Sequence, residues 1–189
     1  VYDWPENGEL IVGGLTSDIS KAWVVSDKQK KAIKSSRINH KDVMLKLSAH
    51  APDTMNTVIA LTLKTKKDSD PVRLLDPVKK NILYAFDAAL SDKKFGYGDG
   101  KPNRNFVNNW KNNEQNLQWS FRLNKAANYK IYIQYNTASA EDKGMVSLSV
   151  NGRSYDISYV PFTERQGTNS LYVGEIKLTP GEHRVVLNG

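Results

Sequence analysis

Cysteine is absent from the 189 residues, which removes disulfides, thiolate metal sites and a cysteine nucleophile in one step. Histidine is scarce. His40, His50 and His183 stand far apart, with no His-x-His or His-x-x-x-His spacing, so no histidine-based metal centre is expected. No Gly-x-Ser-x-Gly elbow occurs. No apolar run approaches the ~20 residues a membrane span requires, so no membrane contact is expected. Val1 to Pro5 carry no signal-peptide pattern, which places any export signal outside this sequence. Gly96-Tyr97-Gly98-Asp99-Gly100 is followed by neither Gly-Lys-Ser/Thr nor an apolar helix and reads as a loop, not a phosphate cradle.

Paired catalytic carboxylates are missing too. A glycosidic bond is cleaved between two carboxyl groups roughly 5 to 10 Å apart. The acidic residues here sit beside lysines in turn-like stretches, as in Asp92-Lys93 and Glu141-Asp142-Lys143. Nothing nominates a pair, and no catalytic residue is expected within this chain.

The net charge is +7 with a pI near 9.4, which raises the question of a polyanion partner. The excess is spread out: residues 1–64 carry nine basic and seven acidic side chains, 65–80 five and three, and 81–189 thirteen and ten. The densest basic stretch, Lys28, Lys30, Lys31 and Lys34, has no interleaved aromatic and reads as a solvated hairpin tip. No nucleic-acid partner is expected.

What is present is period-two alternation, the mark of strands with one buried face. Leu117, Trp119, Phe121 and Leu123 point one way while Gln118, Ser120 and Arg122 point the other. Tyr129, Ile131, Ile133 and Tyr135 repeat the pattern. Val146, Leu148 and Val150 lead into Asn151-Gly152, the pair a type I′ hairpin turn demands, and Tyr155, Ile157 and Tyr159 answer. Leu171–Leu178 and His183–Leu187 flank Thr179-Pro180-Gly181, another turn. The first 64 residues hold shorter strands at Leu10–Val12, Ala22–Val25, Val43–Leu47 and Val58–Leu63, with Gly13-Gly14 and Ser26–Lys31 as turns. No segment keeps a helical period for three turns, and even Val78–Leu90 suits a strand as well.

These patterns predict an all-β chain of two tandem β-sandwich, jelly-roll-like modules. Its 39% hydrophobic content is low for one compact globule and ordinary for small sandwiches with solvated outer faces. The charged, apolar-free run Lys64 to Pro71 suggests the boundary: a small module over 1–64, a linker over 65–78 and a second module over 79–189. Val1-Tyr2-Asp3-Trp4 begins inside an apolar element, as a piece of a longer chain would. Trp4, Trp23 and Trp119 are assigned to packing.

The segment Ser91–Asn116 is compositionally unusual. It holds Tyr97, Phe106 and Trp110 among seven asparagines, including Asn103, Asn112 and Asn113. Aromatic faces stack on the apolar C–H faces of sugars, while short amides donate and accept hydrogen bonds to the hydroxyl rim. Two readings stand: Phe106 and Trp110 plug the end of the sandwich while the asparagines cap turns, or the segment contacts a ligand.

The order Tyr2-Asp3-Trp4-Pro5, Gly8-Glu9-Leu10-Ile11-Val12, Ala22-Trp23-Val24-Val25, Asp42-Val43-Met44-Leu45-Lys46-Leu47, Ala51-Pro52-Asp53 and Val58-Ile59-Ala60-Leu61 resembles the C-terminal β-sandwich of glycoside hydrolase family 29 α-L-fucosidases. The second module resembles β-sandwich carbohydrate-binding modules of the family 6 and 35 type, through Tyr84-Ala85-Phe86-Asp87-Ala88, Leu117-Gln118-Trp119-Ser120-Phe121, Asn128-Tyr129-Lys130-Ile131-Tyr132, Val150-Asn151-Gly152 and Leu178-Thr179-Pro180-Gly181. The resemblance implies a non-catalytic accessory region of a secreted or periplasmic fucosidase-like enzyme. Its partners would be a glycan or oligosaccharide and the catalytic domain of the same polypeptide. It further implies a sugar site in loops at one end of the sandwich, at Tyr97, Asn103, Trp110, Asn112, Asn113 and Asn169. No cofactor is expected beyond a structural calcium, for which Asp87 would be a ligand. A purely structural module is the alternative.

Overall fold

A computed structural model of the chain describes residues 1–91, 94–101, 106–110, 114–163 and 168–189. The fold is all-β and divides into two units, Val1–Arg73 and Leu74–Gly189.

In the first unit, β1 (Glu9–Val12), β4 (Val43–Lys46) and β3 (Lys34–Arg37) form one antiparallel sheet in that order, and β2 (Ile19–Val24) pairs antiparallel with β5 (Ile59–Leu63). Ala22, Val43, Leu45 and Leu47 are buried at the centre, with Trp4, Leu10, Val12, Ile19, Ile33, Ile59 and Leu61 packed around them. The Trp4 indole N–H donates to the Ser48 carbonyl at 2.9 Å. Trp23 departs from the packing role expected of it. Its neighbour Ala22 is 1% exposed, and in a strand successive side chains face opposite ways. Trp23 is therefore on the outer face, half-buried.

The sequence gives no hint of β3. Its four residues, Lys-Ser-Ser-Arg, are all exposed, and the strand exists through its backbone ladder to β4, from Lys34↔Lys46 to Arg37↔Val43. Alternation has nothing to report where no side chain is buried.

Asp42, fully buried, ties the unit's loops together. Its carboxylate accepts from the Gly14 N–H and the Asn39 side-chain amide, both at 3.0 Å. Gly14 has φ +76, and a Cβ there would run into the Asp70 carbonyl oxygen, so the position requires glycine.

The stretch 65–78 is not a free spacer. The Thr16 N–H donates to the Asp68 carbonyl, the Asp70 N–H to the Gly14 carbonyl, and the Ser17 hydroxyl to the Lys66 carbonyl, while Lys41 forms an ion pair with Asp70. Polar composition signalled exposure correctly but concealed these backbone bonds. The boundary falls after Arg73. Beyond it, Asp76 closes a small loop: its carboxylate accepts the Val78 and Lys79 N–H groups at 2.8 and 2.9 Å, and Asn81 exchanges two bonds with its backbone. Burial acts to raise the Asp76 pKa, but the two N–H donors and the Lys79 charge outweigh it, and the carboxyl titrates below its ordinary value. Burial, and then the Asp76 charge, push the Tyr129 hydroxyl up.

In the second unit, the main sheet runs β13 (Arg153–Tyr159), β12 (Gly144–Val150), β15 (Gly181–Asn188), β10 (Asn116–Leu123) and β6 (Arg73–Leu74), with β7 (Ala89–Leu90) also on β10. Separate pairs are β11 (Ala127–Tyr135) with β14 (Asn169–Leu178) and β8 (Gly96–Tyr97) with β9 (Val107–Asn108). The buried cluster Leu75, Phe121, Leu123, Leu148, Val150, Ile176, Leu178 and Val185 draws on the main sheet and on β14, with Trp119, Tyr129, Ile131 and Ile133 packed against it. Within Val78–Leu90 the chain forms a 3-10 turn, Ala85–Asp87, before β7.

The Asn151-Gly152 turn adopts the positive φ pair it was expected to, +50 and +85, between Val150 and its partner Arg153. Its asparagine does more than turn the chain. The Asn151 amide and His183 Nδ1 are 2.7 Å apart, and His183 Nε2 is 2.7 Å from the Thr179 carbonyl. A carbonyl only accepts, so Nε2 carries the proton and Nδ1 accepts from Asn151. His183, 8% exposed and beside the Phe121 ring, is a structural residue.

Candidate functional site

The starts of β10, β12 and β14 and the ends of β11, β13 and β15 share one end of the second unit. The pairs Asn116↔Asn188, Ser147↔Asn188, Gly144↔Tyr159 and Tyr135↔Asn169 align the strands within each sheet, and the Tyr135 hydroxyl on the Val160 carbonyl and the Thr137 N–H on the Phe162 carbonyl join the two ends. The segment 91–115 enters β10 here.

Two anchors hold what precedes β10. The Trp119 indole N–H donates to the Tyr84 carbonyl at 2.8 Å, fixing the start of the 3-10 turn, and Leu90 and Ala89 pair with Leu117 and Gln118. Ser91 then exchanges two bonds with Asn116. Between these anchors the turn projects Tyr84 and Phe86, whose rings stack with centroids 5.1 Å apart and planes within 14°.

Opposite them stands the short hairpin β8–β9, with Gly96↔Asn108 and Tyr97↔Val107 in register and the Gly98 N–H donating to the Phe106 carbonyl at 3.0 Å. A Cβ at Gly96 would collide with the Asn108 side chain, so glycine is needed for that side chain to lie across the strand. Phe86, Tyr97, Gly98, Gly100 and Phe106 line a cleft of about 240 Å³. Rings normally bury themselves. Here Tyr84, Phe86, Tyr97 and Phe106 are 41, 47, 56 and 43% exposed, so a cluster of aromatic surface faces solvent around a concavity.

Of the residues expected at the site, Tyr97 lines this cleft. Trp110 does not. Its ring is half-buried and meets the buried Phe95 edge-on, centroids 5.0 Å apart at 72°, the arrangement aromatic quadrupoles favour in packing. Phe106, which one of the two readings groups with Trp110 as a plug, lines the cleft. Asn169 lies at the same end of the unit with its amide committed: it donates to the Tyr135 hydroxyl at 3.0 Å, and its side-chain oxygen accepts the Ser170 N–H at 2.9 Å. Tyr135 donates onward to the Val160 carbonyl, so Asn169 pins a loop. Asn103, Asn112 and Asn113 lie outside the described residues. Phe86 also lines the cleft; the alternation of Ile82, Tyr84 and Phe86 suits a strand, and the 3-10 turn Ala85–Asp87 leaves both rings exposed instead.

Asp87 is exposed, and its N–H donates to the Tyr84 carbonyl at 3.0 Å. No group of three or more His, Cys, Asp or Glu side chains converges among the described residues.

Residues 94–189 match the family model of a domain of unknown function, DUF5077. The chain belongs to the DUF5077 family. Tyr97, Phe106 and Trp110 fall inside the matched range, Tyr84 and Phe86 before it. No curated protein matches the sequence. Among solved structures, an α-L-fucosidase from Vibrio sp. strain EJY3 aligns over 100% of this chain and 33% of its own, with TM-score 0.52 and 14% identity. This chain thus spans about a third of the fucosidase's length, and the likeness is one of fold. A GH26-CBM35 β-(1,4)-mannanase from Podospora anserina aligns over 56% of this chain and 23% of its own, with TM-score 0.47 and 15% identity. No helix among the described residues is long and apolar enough to cross a membrane.

Proposed function

We propose that this DUF5077-family chain is a non-catalytic accessory region of a secreted or periplasmic, α-L-fucosidase-like glycoside hydrolase. The second unit contacts glycan at the cleft between the 3-10 turn and the β8–β9 hairpin, and the first unit braces a catalytic domain of the same polypeptide. One observation carries the glycan reading: Phe86, Tyr97 and Phe106 keep 43 to 56% of their surface in water around a shared concavity. Sugar rings offer apolar C–H faces that cover such rings without requiring a charge. The bracing role draws on the exposed apolar residues Tyr2, Val25, Met55 and Val58. Backbone bonds from Val25 to Val58 and between Val1 and Thr57 hold them near one another.

Calorimetry of the full chain against fucosylated and plant-type glycans tests the cleft. A glycan from that panel should bind, and Tyr97→Ala with Phe106→Ala should weaken it about tenfold or more, roughly 1.4 kcal/mol or above. Both rings are exposed, so the fold should survive. The packing of Trp110 on Phe95 and the committed amide of Asn169 favour a second reading, a purely structural module. Absence of binding to every glycan in the panel would establish it.

A further inference from the structure

The lysine-rich turn that follows β2 carries no aromatic residue of its own, but the fold brings one to it. Trp23 lies on the outer face of β2, and the ammonium groups of Lys21 and Lys30 both stand 5.8 Å from the centre of its ring. Lys21 reaches the ring from two residues earlier on the same strand face. Lys30 reaches it from the turn, where φ +49 reverses the chain. Ile33 donates to Ala22, and Arg37 pairs with Asp18. The chain after the turn thus returns alongside β2.

Charge compensation stops short of this face. Residues 19–41 contain seven basic side chains and one acid, Asp27. Arg37 and Lys41 are paired with Asp18 and Asp70. The Asp27 carboxylate accepts the N–H groups of Gln29 and Lys31 at 2.9 and 2.8 Å, so it is turned into its own loop. Lys21, Lys28, Lys30, Lys31 and Lys34 are exposed, and none is in an ion pair among the described residues.

We propose that Trp23 and the lysines gathered around it form a binding surface for an anionic polysaccharide, one whose sugars carry sulfate ester or carboxylate groups. The indole restrains two flexible ammonium groups through its quadrupole, so less side-chain freedom is lost when an anion bridges them. A single-stranded nucleic acid is served by a row of open rings on which bases stack. Residues 19–41 supply only one such ring, with ammonium groups already over it. The choice of a sugar polymer as ligand rests on the glycan reading above; the surface itself is in the other unit and shares no residue with the cleft.

Affinity electrophoresis of the full chain through gels containing dextran sulfate, polygalacturonate or neutral dextran tests the surface. Retardation is expected in at least one anionic gel and not in neutral dextran. Dextran sulfate against polygalacturonate tells sulfate from carboxylate recognition. Lys21→Gln with Lys30→Gln should weaken retardation about tenfold and flatten its dependence on salt. Lys66→Gln with Lys67→Gln, the same charge change elsewhere in the first unit, should weaken it less than about twofold, as a pair that does not stand over the Trp23 ring would. Tyr97→Ala with Phe106→Ala should leave it unchanged, so this proposal and the cleft reading fail separately. Equal weakening by the two lysine pairs would reduce the effect to net charge and overturn the proposal. Passage through both anionic gels without retardation would do the same, as would equally tight binding of a DNA duplex lost with Lys21 and Lys30.

Discussion

Asp42 shows what a single side chain contributes here. A buried carboxylate is retained only where its lone pairs are met, and Asp42 joins the Gly14 backbone to the Asn39 amide at 3.0 Å each. Asp42→Ala strands both donors in the interior, so a loss of about 2 to 4 kcal/mol is expected in urea denaturation. Asp76 carries a pH dependence. Its folded pKa is depressed below the ordinary 3.8, so its contribution to stability is complete above that pH and is lost as pH falls through the lower, folded value. Melting temperatures between pH 6 and pH 2 should fall less steeply for Asp76→Asn than for the parent chain. An identical slope would show that its N–H bonds do not persist in solution.

Elements divide into those specified by burial and those specified by pairing. β11, β12 and β13 alternate in sequence because one face meets a core, and their observed limits lie close to the apolar runs; β10 alternates only as far as Ser120, since Arg122, expected on the outer face, is buried between Phe121 and Leu123. β3 is the opposite case, a polar strand fixed by β4. Ser35→Val on this exposed strand should alter stability by no more than about 0.5 kcal/mol. The Asn151-Gly152 turn has no such latitude. Gly152 sits at φ +85 with open space where a Cβ would go, so the cost of substitution is conformational alone. Gly152→Ala should lower stability by about 1 kcal/mol, read as a shifted denaturation midpoint with unchanged slope.

Over the whole molecule, the two proposed surfaces lie in units with separate cores. Substitutions at Tyr97 and Phe106 should move binding of neutral glycan, and those at Lys21 and Lys30 binding of anionic polysaccharide. Crossed effects in calorimetry would show one shared site. The sequence by itself determined the all-β class, most strands and the Asn-Gly turn, because period-two burial and positive φ leave local marks. It also marked the segment holding Tyr97 and Phe106 as unusual. Only the tertiary structure decided which rings stay in water: Trp110 meets Phe95, while Phe86 arrives from before β7 to face Tyr97. Sequence showed the lysines of the first turn without an aromatic, and the reversal of the chain at that turn brought Lys30 over Trp23. Local patterns record whether a side chain is buried, but its neighbour across a sheet or loop is set by register and chain reversal, which no short window of sequence contains.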